Sequence, residues 1–123
     1  MTLEDFQQLA PEERAEQTLL AIIEQGELYH LQHGPRWAML SAEGDACTPL
    51  FCRKDAALQW LGAHYPEAKP KSLSLKKLMK EWLPLYAEDD VYLMLSPAPR
   101  EAEGILITID EFLQALSEEG VTL

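Results

Sequence analysis

Few residues in this chain are equipped for chemistry: Cys47 and Cys52, His30, His33 and His64, and several groups of carboxylates. A zinc site needs four ligands and usually pairs cysteines two to four residues apart, so two thiols five positions apart do not make one. In a strand they point to opposite faces. A cysteine nucleophile needs a base within hydrogen-bond reach. Cys52 and His64 bracket an expected helix, and twelve residues rising 1.5 Å each hold them roughly 18 Å apart. His30 could approach a thiol only from a neighbouring strand, with no third group to orient it. His30-x-x-His33 would share one side only in a helix, whereas its surroundings read as strand running into turn. Both cysteines are therefore read as reduced core residues and His33 as a surface residue of a turn.

The acids of Glu88-Asp89-Asp90 and of Glu101 with Glu103 could supply an acid and a base if a cleft drew them together. Beside strands, in turns, they read as solvated carboxylates that discourage edge pairing. Lys76, Lys77 and Lys80 fall at i, i+1 and i+4 on the polar side of an expected helix, preceded by Arg53, Lys54, Lys69 and Lys71. Nucleic-acid binding would need interleaved aromatics, and Trp60 and Trp82 fall on core stripes instead. The lysines make a solvated helix face, or a patch able to meet an acidic surface of a partner or of a second copy. Arg100 joins them as a candidate contact residue from the loop between two strands. In that loop, Ser96-Pro97-Ala98-Pro99-Arg100 spaces its prolines two apart, unlike a PxxP ligand. The stretch from Ser96 to Gly104 is longer than a tight hairpin needs, which makes it the place for a small-molecule site if there is one.

The elements that must position these groups belong to a single domain of 123 residues, 47% apolar and 25% charged. Ten bases against 21 acids give a net charge of -11, which disfavours phosphate backbones and anionic membranes and suits a basic partner. The charge is segregated: residues 1–52 hold 9 acids and 2 bases, 53–80 hold 2 acids and 7 bases, and 81–123 hold 10 acids and 1 base. The acidic start, the absence of a long apolar run and the two cysteines imply a cytoplasmic protein without a disulfide framework.

Thr2-x-x-Asp5 and Pro11 predict one or two helices over residues 3–25, with Ala15, Leu19, Ile22 and Ile23 inward and Gly26 as a left-handed cap. Three antiparallel strands follow at 27–32, 36–42 and 46–51, divided by His33-Gly34-Pro35 and Glu43-Gly44-Asp45. Pro49 predicts that the third lies at a sheet edge or at its own end. A helix over 54–64 carries Ala57, Trp60, Leu61 and His64. A polar connector leads to a helix capped by Ser72 or Ser74, with Leu75, Leu78, Met79, Trp82 and Leu83 on one face, ended or kinked by Pro84. Residues 91–95 and 105–107, apolar on both faces, predict buried strands. Thr108-x-x-Glu111 caps a last helix that ends at Gly120. The order α-βββ-αα-ββ-α makes an α+β fold, a mostly antiparallel sheet of about five strands with helices packed on it.

Trp37, Pro49-Leu50-Phe51, Ala56-Ala57, Leu78 with Glu81-Trp82-Leu83-Pro84, and Gly104-Ile105-Leu106 before a capped helix together resemble a family of small bacterial proteins, domain of unknown function 2750, over about residues 27–117. The apolar-Pro-apolar-Phe strand and the closing strand-to-helix unit are also similar to SseB-like domains. The family's pattern carries a Trp-Pro pair after the apolar strand, where this chain has Phe51 and Cys52. The resemblance implies a compact α+β bacterial cytoplasmic domain and assigns no catalytic residue and no cofactor. Together with the charge, it leads to the expectation of a non-enzymatic interaction module, an immunity or inhibitor protein for a basic partner being one form. The other class is a small-molecule-binding domain or small enzyme with its site near residues 96–104.

Overall fold

Helix α1 (Leu3–Gln8) begins where Thr2 Oγ1 accepts the Asp5 amide, and α2 (Pro11–Gln25) ends on Gly26, whose φ of 73° closes the helix with a bond to the Ile22 carbonyl. In the computed structural model, which describes residues 1–42, 44–100 and 105–121, strands β1 (Glu27–His33), β2 (Arg36–Trp37), β3 (Leu40–Ala42) and β4 (Asp45–Phe51) follow. Next come α3 (Lys54–His64), β5 (Lys69–Ser74), α4 (Leu75–Lys77), a π-helical turn (Leu78–Trp82) and α5 (Leu83–Glu88). Strands β6 (Tyr92–Leu95) and β7 (Leu106–Ile107) lead to α6 (Ile109–Glu118), where the capping box of Thr108 and Glu111 forms as expected.

The fold is a single α+β domain, a mixed and mostly antiparallel sheet with helices packed on it. Strand β1 runs antiparallel to β5 on one side and to β2 and β4 on the other, and β4 pairs in parallel with β6, which carries β7. Five elements depart from the sequence expectation. The single strand expected over 36–42 is two, because the chain descends beside β1, reverses at Ala38–Met39 and climbs beside β4, filling a fork between them. Strand β4 is central rather than an edge. Leu50 turns its carbonyl to β6, where it accepts from the Ser96 amide at 2.8 Å. Alternation then turns the Pro49 nitrogen into the fork, between the β3 pairing that stops at Cys47 and the β1 pairing that starts at Leu50, where no ladder donor is required.

The expected polar connector is instead β5, paired along β1 from Glu27 to Gln32. Lys69, Lys71 and Pro70 are residues that blunt an edge and carry no core signal. Ser74, not Ser72, caps the helix that follows. Pro84 does not end that helix. The turn ahead of it widens so that the Leu83 amide bonds five residues back to Leu78, which makes room for the proline ring and lets the helix run on to Glu88. Residues 106–107 form a half-buried edge rather than a buried strand.

Helices cover both faces. Phe51 packs on Trp60 of α3, with α1 alongside. On the other face, Trp37 packs on Trp82 and Tyr86, and α6 closes against α5. His30 lies in this second layer, its ring 3.8 Å from that of Trp37 and 15° from parallel. Burial pulls its imidazole down from 6.5 to about 4, a backbone hydrogen bond at Leu31 opposing and Lys71 assisting. The unfolded chain takes up the proton first, so this residue's contribution to stability is lost as pH falls from about 6.5 to about 4. In urea denaturation at pH 7 and pH 4, His30→Phe, which keeps the stacked ring, should lose about 2–3 kcal/mol less than the wild type. Equal losses would refute this account.

Candidate functional site

The loop leaving β6 was the place expected for a small-molecule site, and its first part is packed into the protein: Ser96, Pro97 and Ala98 are buried. What holds it is a polar network at the carboxyl ends of β4 and β6. Arg14, 1% exposed, donates from Nε to the Ser96 carbonyl at 2.6 Å and from a terminal nitrogen to the Leu9 carbonyl at 3.0 Å. Thr18, one turn along α2, donates to the Arg14 carbonyl at 2.7 Å. Its hydroxyl oxygen also lies 2.7 Å from that of Ser96. A hydroxyl has one proton to give, so Ser96 supplies the proton of that second contact. Ser96 adopts a φ of 43°, a left-handed conformation that a non-glycine residue keeps only when its surroundings enforce it.

Cys52 closes the cluster, its sulfur 4.0 Å from the Thr18 oxygen. Burial pushes its thiol up, more than the Thr18 hydrogen bond lowers it. Held as the thiol, it is a poor nucleophile. His64 is engaged elsewhere, donating from Nε2 to the Pro99 carbonyl at 2.7 Å. Cys47 is buried as expected, against a cavity of about 190 Å³ that Trp60, His64 and Met94 also line. His30 and His33 lie on opposite sheet faces, and His33, at the surface, meets the Tyr65 hydroxyl at 3.1 Å. Among the described residues no group of three or more His, Cys, Asp or Glu side chains is placed to hold a metal ion. No helix among them is long and apolar enough to cross a membrane.

Among the described residues two surface depressions lie one on each side of the sheet. The first, about 350 Å³, opens between the end of α5 and the start of α6, lined by Asp45, Asp90, Asp110, Tyr86, Tyr92 and Thr108 among others, with no base among its lining residues. All of its charged lining residues are carboxylates, with Asp110 in the first turn of α6, where a helix accepts negative charge. Glu88, Asp89 and Asp90 crowd the carbonyl-rich end of α5, where cations are preferred. Asp90 takes a φ of 53°, and the Val91 amide folds back to the Tyr86 carbonyl at 2.9 Å, which turns this end of the chain into the cleft. Burial raises the Tyr86 phenol well above its ordinary range. The second depression, about 510 Å³, lies between α1 and α3 and ends at Pro99 and Arg100.

The sequence candidates do not form one surface. Lys76, Lys77 and Lys80 are exposed on the helix over the Trp37 face. Arg100 lies on the opposite side, donating to the Gln7 carbonyl at 2.7 Å. Of the acidic groups, Asp90 reaches the cleft, and Glu101 and Glu103 lie outside the described residues. The family model described as Protein of unknown function (DUF2750) matches residues 15–116, beginning inside α2 rather than at β1, where the resemblance read from the sequence began. No curated protein matches the chain.

Arg14 and Thr18 were missed because they are polar. Their line on α2, continued by Ile22, is the fully buried one; of the expected stripe of Ala15, Leu19, Ile22 and Ile23, only Ile22 lies on it, and the other three are half-buried. The i, i+4, i+8 spacing of Arg14, Thr18 and Ile22 was the available signal. In urea denaturation, Arg14→Met should cost about 3–5 kcal/mol by stranding buried carbonyls, and Ser96→Ala about 1–2 kcal/mol. Sharing one network, the two should together cost less than their sum. Strict additivity would show that the contacts act independently.

Proposed function

The chain belongs to DUF2750, a family of unknown function, so its role has to be read from its own surface, and we propose that it is a non-enzymatic binding module for a basic protein partner, of the kind an immunity or inhibitor protein represents. The observation that carries this reading is the cleft between α5 and α6. Asp45, Asp90 and Asp110 line it in a chain of net charge -11, Asp90 just beyond the carbonyl end of α5. A lysine or arginine from a partner finds carboxylates of opposite sign there, and Tyr86 and Tyr92, which line the cleft, offer surface for its stem. The acidic field would also speed the encounter.

A second copy is the other occupant with an observation in its favour. The basic stretch is concentrated on β5 and the helix after it, where Lys69, Lys71, Lys76, Lys77 and Lys80 are exposed. The cleft offers the opposite sign.

The test compares wild type with the triple variant Asp45→Asn, Asp90→Asn, Asp110→Asn. Asparagine keeps the shape of each side chain and accepts the left-handed conformation at position 90. In affinity capture from the native host's lysate at low ionic strength, the wild type should retain a basic protein that 0.5 M salt releases. The triple variant should bind it about tenfold more weakly or worse. Light scattering of the pure protein at low and high salt separates the second-copy reading, which requires a dimer that dissociates as salt rises. If wild type and variant retain the same proteins and both stay monomeric, the cleft is not a binding surface.

A further inference from the structure

One cavity brings together side chains that the sequence keeps apart. Strand β4 turns Cys47, Pro49 and Phe51 to the same side of the sheet, and Phe51 meets Trp60, so this is the side that α3 covers. Met94 of β6 is in parallel register with Pro49 and therefore points the same way. It stands one same-face position along from Tyr92, the register partner of Cys47, on a strand about 4.8 Å away. From the helix come Trp60 and, one turn on, His64, their rings 4.9 Å apart. All of these meet at a cavity of about 190 Å³, lined by Cys47, Trp60, His64 and Met94. The length of α3 that separates His64 from Cys52 does not separate it from Cys47, because the helix runs back over the sheet.

Three of these side chains are metal ligands by their chemistry. Cys47 and Met94 are buried, which sets a thiol and a thioether where water does not compete for them. His64 donates its Nε2 proton to the Pro99 carbonyl at 2.7 Å, so Nδ1 carries the lone pair of the ring. That nitrogen takes no hydrogen bond among the described residues. A backbone carbonyl on the other ring nitrogen is the usual device that fixes the tautomer and orientation of a metal-binding histidine. No carboxylate lines the cavity, so it does not suit calcium or magnesium. Zinc, with its preference for four ligands of imidazole, thiolate or carboxylate type, makes no use of a thioether. Thiolate and thioether sulfur together select monovalent copper. The exposed Ser41 and the half-buried His64 give the cavity its way in from the surface.

We propose that this cavity is a binding site for monovalent copper, held by Cys47 Sγ, Met94 Sδ and His64 Nδ1. Binding forms two copper-sulfur bonds and one copper-nitrogen bond and releases the Cys47 thiol proton to solvent. The copper keeps its oxidation state, so the step calls for no oxidant or reductant. The site lies on the α3 side of the sheet and does not rest on the reading of the acidic cleft.

The experiment titrates copper(I), under exclusion of oxygen, into the full chain in competition with a chromogenic copper(I) chelator, with zinc(II) as the comparison ion. The wild type should take one copper per chain from the chelator and retain no zinc. X-ray absorption at the copper edge should find two sulfurs and one nitrogen around the metal. Met94→Leu, which conserves the volume of the side chain, should weaken copper binding about tenfold or more and leave a single sulfur in the copper shell. Cys47→Ala should lose the site, whereas Cys52→Ala, which removes the other thiol, should bind as wild type does. Met94→Leu keeps the proposal open to refutation even where a cysteine variant fails to fold. Failure to take copper from the chelator, equal retention of zinc, binding unchanged by Met94→Leu, or a copper shell without sulfur, as at an adventitious surface site, would overturn the proposal. So would a folded Cys52→Ala that loses the copper.

Discussion

A guanidinium taken wholly out of water has to be hydrogen-bonded where it lies, and the position of Arg14 fixes much of this molecule. Its bonds to the Ser96 and Leu9 carbonyls tie α2 both to the end of β6 and to the turn from α1. Ser96 in turn takes the Leu50 carbonyl through its amide, so the ends of the two parallel strands are set by one polar cluster. Removing a single participant leaves the others buried and unpaired, which is why such a network holds as a unit. The left-handed backbone of Ser96 follows from it. The chain must leave β6, satisfy Arg14 and turn at once toward α3.

That turn decides what the loop can do. With Ser96, Pro97 and Ala98 inside, the first half of the loop is part of the core, and of its described residues Arg100 is the exposed one. The sheet therefore separates two kinds of surface. On the α1 and α3 side lies a groove with paired amides, one acid and one base. On the α5 and α6 side lies a cleft of carboxylates and phenols, with exposed lysines on the helix above the same face. Charge that looks merely excessive in the composition is, in the fold, divided between places of different character. The His30 and Trp37 stack beneath the second surface is apolar in effect, since burial keeps the imidazole neutral through the physiological range.

The elements read from local pattern have their expected places, and the reason is local physics. A hydroxyl at position 108 and a glutamate three residues on satisfy each other's backbone donors whatever the rest of the chain does. Gly26 supplies a conformation that other residues resist. The strands around Leu28, Leu50 and Leu93 follow from apolar residues that have to leave water. The cysteines, too, were legible as core residues, because nothing near them in sequence offered a base or enough ligands. Of the candidate site, only fragments were visible: Asp90 as part of an acidic turn, and Arg100, which ties the loop to α1.

The sequence by itself determined the α+β class, the caps of the first and last helices, the segregation of charge and the family resemblance, because each depends on residues a few positions apart or on sums over the chain. Only the tertiary structure decided that Pro49 sits in a central strand, that β5 pairs with β1, and that Pro84 follows a widened turn instead of ending a helix. The same holds for Arg14 reaching a carbonyl 82 residues away and for Cys47 and Met94 meeting His64 at one cavity. These depend on which groups face one another after the sheet closes. A shared cavity or a fork between strands has no local signature, since it is a relation between distant segments whose separate sequences are ordinary.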